Sequence, residues 1–81
     1  MKAKVHVQLK RDVSDPRGFA IRGSLESLAF QGVNKVHVGK YFVLDMDDMP
    51  EEKARVMLKA MCEKLLANPV IESYDFTIEK D

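Results

Sequence analysis

Two histidines, one cysteine and a group of three aspartates are the side chains of this sequence that could do chemistry. His6 and His37 fall at polar positions of segments that alternate as strands do, where they could be neighbours. Two imidazoles do not complete a zinc site, and no Cys pair assists them. They read as ordinary surface histidines. Cys62 has no histidine near it in sequence to take its proton, so a nucleophile is weakly supported. A small buried residue, set on the flank of a helix, is the simpler reading. Asp45, Asp47 and Asp48 lack the spaced ligand set of a calcium loop; they fit better as the end of a strand and the start of a helix. Gly18 and Gly23 match neither a dinucleotide fingerprint nor a phosphate-binding loop. No catalytic, cofactor-binding or metal-binding set emerges.

The elements that must carry these residues belong to one small domain spanning 1–81. A chain of 81 residues buries only about 60–65% of its extended surface, which makes oligomerisation a sensible expectation. Thirteen basic residues balance thirteen acidic ones, which argues against a nucleic-acid module. One cysteine permits no internal disulfide and suggests a reducing compartment. No apolar run approaches the roughly 20 residues of a membrane span, and the N-terminus does not resemble a signal peptide. A cytoplasmic location, away from membranes, is the expectation.

Ala3, Val5, Val7 and Leu9 alternate with Lys4, His6, Gln8 and Lys10, the pattern of a half-buried strand. Asp15 is a plausible N-cap and Pro16 a good first helical residue. Ile21, Leu25 and Leu28 then make an amphipathic stripe, and Gly32 is the expected stop. From 33 to 47 the apolar residues Val36, Val38, Phe42, Leu44 and Met46 share one parity. A two-residue hairpin at Gly39-Lys40 would split them between faces, so the segment is either a hairpin with an odd loop or one long strand bent at Gly39. A continuous strand would be about 45 Å long and would need a partner chain. A second helix follows Pro50, with Ala54, Leu58, Met61 and Leu65 as its buried stripe. Asn68, tolerant of the left-handed conformation, and Pro69 end it. Val70, Tyr74, Phe76 and Ile78 then mark a last strand. The order β-α-β(β)-α-β predicts an α+β fold of ferredoxin-like type, an antiparallel sheet with two helices on one face.

That order serves many functions. RNA-binding members need exposed aromatics on the central strands, and the middle segment offers Tyr41 alone. Metal carriers of this topology need a CxxC pair, which is missing. A small-molecule-sensing homodimer stays open as the alternative. From the residues, the chain is a non-catalytic module that associates with something.

Three stretches, taken together, resemble the PurS family, the small subunit of phosphoribosylformylglycinamidine synthase. Leu9-Lys10 is followed by Asp15-Pro16-Arg17-Gly18, then by Val36-His37-Val38-Gly39-Lys40-Tyr41. The last runs from Cys62 through Asn68-Pro69 to Glu72-Ser73-Tyr74. The similarity spans almost the whole chain. It departs at Arg11-Asp12-Val13-Ser14, where relatives tend to have Pro-Gly-Val-Leu, and at Leu28-Ala29-Phe30, where Leu-Gly-Phe is common. The resemblance implies a non-catalytic scaffold, as homodimer or homotetramer, joining a glutaminase subunit (PurQ) to a synthetase subunit (PurL) in purine biosynthesis. Ammonia released by the first would then reach formylglycinamide ribonucleotide on the second. ATP and Mg would be used by the synthetase, with no cofactor on this chain. Beside that resemblance, the expected partner contacts are Arg17, Gly39, Lys40 and Tyr41, although a bend at Gly39 explains that residue equally well. Asp15, Pro16, Asn68 and Pro69 are read as turn and cap residues.

Overall fold

The computed structural model describes residues 1–80. Alternation in the first strand does what the pleat requires. Over β1 (Lys2–Leu9) the side chains of Ala3, Val5 and Val7 turn to one face and are 0, 0 and 2% exposed. β1 is the centre of a three-stranded sheet, flanked by β2 (Gly39–Asp45) and β3 (Glu72–Glu79), both antiparallel to it. The register sets Val5 between Phe42 and Phe76, and Ala3 between Leu44 and Ile78. These rows form the apolar face. Lys2, Lys4, His6 and Gln8 turn the other way and, with Tyr41, Val43, Asp75 and Glu79, make a mixed open face.

Helix α2 (Glu51–Met61) lies on the apolar face. Glu51 and Glu52 occupy its first turn and Lys59 its last, each at the end of the helix dipole that favours its charge. Ala54, Leu58 and Cys62, four residues apart, are completely buried. The expected stripe ended instead on Leu65. A single π turn over Cys62–Leu66, closed by the Ala67 amide on the Cys62 carbonyl at 2.9 Å, changes the phase. It turns Leu65 into solvent at 82% exposure and brings Ala67 under the helix at 7%. The chain leaves the turn through Ala67 in extended conformation (φ −130°, ψ 155°). Asn68 is therefore not the left-handed cap the sequence suggested. Val70, expected on the buried parity of the last strand, lies in the turn before β3 and is 80% exposed.

Helix α1 (Pro16–Ser27) starts as its sequence dictates, with Asp15 as N-cap and Pro16 in the first turn. Its end was not expected at Ser27. Ala29 stands in the left-handed region at φ 68°, with its amide on the Glu26 carbonyl and the Phe30 amide on that of Leu25. That pairing is a Schellman stop with alanine where glycine has no steric penalty. Gly32, also at positive φ, lies beyond the stop. Ala29→Gly should stabilise the fold by about 1 kcal/mol, which urea denaturation would read as a higher midpoint at unchanged slope; a lower midpoint would contradict the stop.

The antiparallel sheet with two helices is the α+β fold the sequence predicts, but α1 buries little of its surface within this chain. Only Gly18 of α1 is buried, Ile21 and Leu28 are 43 and 68% exposed, and among the described residues none of α1 belongs to the core cluster. The middle segment explains this. It is neither a hairpin nor one long strand within this chain: β2 begins at Gly39, and residues 33–38 belong to no strand. These residues run beside α1 instead, with the Arg22 Nε donating to the Val33 carbonyl at 3.2 Å. The result is an arm on a body. The radius of gyration is 16.2 Å, with extents of 49 × 28 × 15 Å, where a compact chain of this length would have about 12 Å.

Candidate partner-contact site

The residues singled out for turns and contacts gather around the start of β2. Asp15 ties the first of them there. One carboxylate oxygen accepts the Gly18 amide at 3.0 Å, as an N-cap does, and the other accepts the Val38 amide at 2.9 Å. Gly18 is needed at this joint, because a Cβ there would stand 1.9 Å from the Val36 carbonyl oxygen. Arg17 is exposed on the first turn of α1, beside this joint.

The hydrogen bond from Val38, then that from Gly18, holds the Asp15 carboxyl below its ordinary value. The sign of the linkage follows. A carboxylate whose pKa falls on folding adds stability above its unfolded pKa, about 3.9, and loses it as pH falls through the lower folded value. An asparagine side chain in its place would offer one acceptor to two amides. The Asp15→Asn variant should therefore be less stable at neutral pH and lose less further stability than wild type on acidification below about pH 4. Parallel acid limbs in urea midpoints would show that Asp15 is not linked to folding.

Gly39 begins β2 pressed on β1, with space for its Cβ only 2.6 Å from the Val7 carbonyl oxygen. Lys40 is on the helix side of the sheet, opposite Val7. Its ammonium donates to the Leu66 carbonyl at 3.1 Å and reaches Glu72 Oε1 at 3.4 Å. A cation at the last carbonyls of a helix suits the dipole. Glu72, 12% exposed, also accepts the Asn68 amide at 2.7 Å. Asn68 Oδ1 accepts the Val70 amide at 3.1 Å and the Asn68 carbonyl accepts those of Ile71 and Glu72, so Asn68 and Pro69 sit in a closed turn. Lys40 thus has partners inside the chain, whereas Tyr41 faces the open side at 52% exposure. Its ring stacks on His6 with centroids 4.6 Å apart, and His6 Nδ1 lies 3.6 Å from Asp75.

His37 lies in residues 33–38, outside the sheet, so the two histidines do not share a strand face. Among the described residues no three of His, Cys, Asp and Glu are placed to hold a metal ion. Burial pushes the Cys62 thiol up, with the Glu63 charge adding to it, which leaves a protonated thiol inside the core. An open groove of about 470 Å³ runs between α1 and residues 34–37, with Arg11, Arg22, Lys35 and His37 in its lining. Sequence reasoning missed Glu72, a lone acid at a strand start. The signal that could have found it is its place four residues after Asn68, within reach of that amide.

Comparison with known proteins covers the same span. Residues 2–80 match the family model PurS, described as phosphoribosylformylglycinamidine (FGAM) synthase. The chain is 43% identical over 79 residues to the phosphoribosylformylglycinamidine synthase subunit PurS of Bacillus subtilis, covering 98% of this chain and 93% of that one. It is similar to the crystal structure of Methanocaldococcus jannaschii PurS, one of the subunits of formylglycinamide ribonucleotide amidotransferase in the purine biosynthetic pathway. The TM-score there is 0.87, with 40% identity over 99% of this chain and 96% of that one. A chain in the structure of PurLQS from Thermotoga maritima matches with a TM-score of 0.84 and 37% identity, over 94% of this chain and 93% of the other.

Proposed function

We infer what this chain does from the family to which it belongs, PurS, of phosphoribosylformylglycinamidine synthase. It is a non-catalytic subunit of that glutamine-using ligase in purine biosynthesis, and it works as the scaffold between the synthetase PurL and the glutaminase PurQ. The likeness of 94% of the chain to a chain of PurLQS carries this reading. PurQ releases ammonia from glutamine, and PurL consumes it with ATP and Mg, so a chain joining the two shortens the path on which ammonia could be lost to solvent. The subunit is cytoplasmic and self-associates; among the described residues no helix is long and apolar enough to cross a membrane.

Contacts with the larger subunits are made around the start of β2. The exposed residues Tyr41 and Arg17 supply side chains to them, and Gly39 and Lys40 hold that corner in shape through β1 and the α2 end. Co-elution of this chain with PurL and PurQ from the same source on size exclusion tests the reading. Wild type is expected to elute in the complex, and a Tyr41→Ala, Arg17→Glu variant to elute mostly apart with its circular dichroism unchanged. Full retention of the variant would remove this corner from the contact surface. No co-elution of the wild type would remove the scaffold role.

A further inference from the structure

Charge is unevenly placed along a chain whose net charge is zero. Residues 10–40, from the end of β1 to the start of β2, carry six basic side chains against three acidic ones, and the rest of the chain carries the opposite excess. The groove of about 470 Å³ between α1 and residues 34–37 lies in this basic part. Its size is that of a small-ligand site, about 300–1,000 Å³. Arg22 forms a wall of it and is held there, Nε on the Val33 carbonyl at 3.2 Å and Nη2 on Glu26 at 3.1 Å. Arg11, Lys35 and His37 line the same groove and are exposed, and among the described residues no hydrogen bond or ion pair engages any of them. Two acids share the lining. Asp15 is engaged by the Gly18 and Val38 amides, which leaves Asp12 as the acid that competes for the cations. Phe19 contributes an aromatic ring to the α1 side at 79% exposure.

We propose that this groove binds a small organic phosphate monoester that carries a planar unsaturated group. The phosphate lies among Arg11, Lys35 and His37, and the planar group lies on Phe19. A guanidinium fork matches the oxygens of a phosphate, and an ammonium adds a point charge beside it. A phosphate monoester brings nearly two negative charges and three acceptor oxygens to these three donor groups. A carboxylate would bring one charge and two oxygens, which is a poorer match. The Gly18 amide at the start of α1 is taken by Asp15, so the phosphate is held by side chains and not by the helix end. An aromatic face left in water gains by stacking on a flat ring, which a bare phosphate cannot supply. The site goes beyond the scaffold role and does not depend on it.

The test is an NMR titration of the isotope-labelled full chain, in the assembly it forms, with adenosine monophosphate, ribose 5-phosphate, adenosine and inorganic phosphate as separate probes. Saturable shifts at amides within residues 11–19 and 34–37 are expected with adenosine monophosphate, weaker binding with ribose 5-phosphate, and none with adenosine. An Arg11→Ala, Lys35→Ala variant should raise the dissociation constant for adenosine monophosphate at least about tenfold. Its β1 amides should keep their wild-type positions, which separates lost binding from lost fold. Phe19→Ala should weaken adenosine monophosphate and leave ribose 5-phosphate unchanged. Wild-type affinity in the double variant, shifts confined to other basic residues, or no saturable shift overturns the site. Inorganic phosphate bound as tightly as adenosine monophosphate overturns the organic ligand.

Discussion

Replacing Leu58 by Ala should lower the unfolding free energy by about 2–5 kcal/mol, the largest effect expected of a single truncation here. Leu58 is the largest side chain with no exposure at all, set between α2 and the row of Ala3, Val5 and Val7. Its removal costs the transfer of its own carbons and leaves a cavity that a sheet held by two ladders cannot close. A domain of this length has about 4–12 kcal/mol of stability in total, so the variant should be largely unfolded well below the wild-type midpoint. Cys62, next along the same stripe, should then react with thiol reagents at lower urea in the variant than in wild type. A loss under about 1 kcal/mol would mean that α2 does not hold the core.

Gly18→Ala should cost about 1–3 kcal/mol even though alanine is the better helix former by about 1 kcal/mol. The new Cβ would meet the Val36 carbonyl oxygen at 1.9 Å and its carbon at 2.9 Å. Both are backbone and cannot swing away. The arm must open, which pulls Val38 from Asp15, so hydrogen exchange at the Val38 amide should rise while the amides of β1 stay protected. Gly23→Ala is the matched control, because nothing within 4 Å meets its Cβ, and it should gain up to about 1 kcal/mol. Equal gains at both glycines would show that residues 33–38 do not press on α1.

These expectations rest on features of unequal visibility in the sequence. The alternation of Ala3, Val5 and Val7 was legible because a pleat leaves no other way to bury one face. Asp15-Pro16 was legible because capping and fixed φ are local properties. The end of α2 was not. The expected stripe of Ala54, Leu58 and Met61 faces the core, but Leu65 falls in the π turn and is exposed, and that turn depends on one carbonyl meeting an amide five residues on. The seat of α1 was illegible for a different reason. A stripe at Ile21, Leu25 and Leu28 says that a face wants cover, but not whose atoms supply it. Residues 33–38 carried a strand pattern that this chain alone does not use. At the candidate site, sequence marked Lys40 and Asn68 yet not Glu72, because the acid becomes a hub only when β3 comes within reach of Lys40 and the end of α2.

The measurement that tests the scaffold role most directly is amidine formation by PurL and PurQ from the same source, with and without this chain. It is run once with glutamine and once with free ammonia as the nitrogen source. The scaffold predicts that the glutamine-dependent rate needs the chain and that the ammonia-dependent rate changes little. A glutamine-dependent rate that is the same without the chain, with both larger subunits shown to be competent, would contradict it.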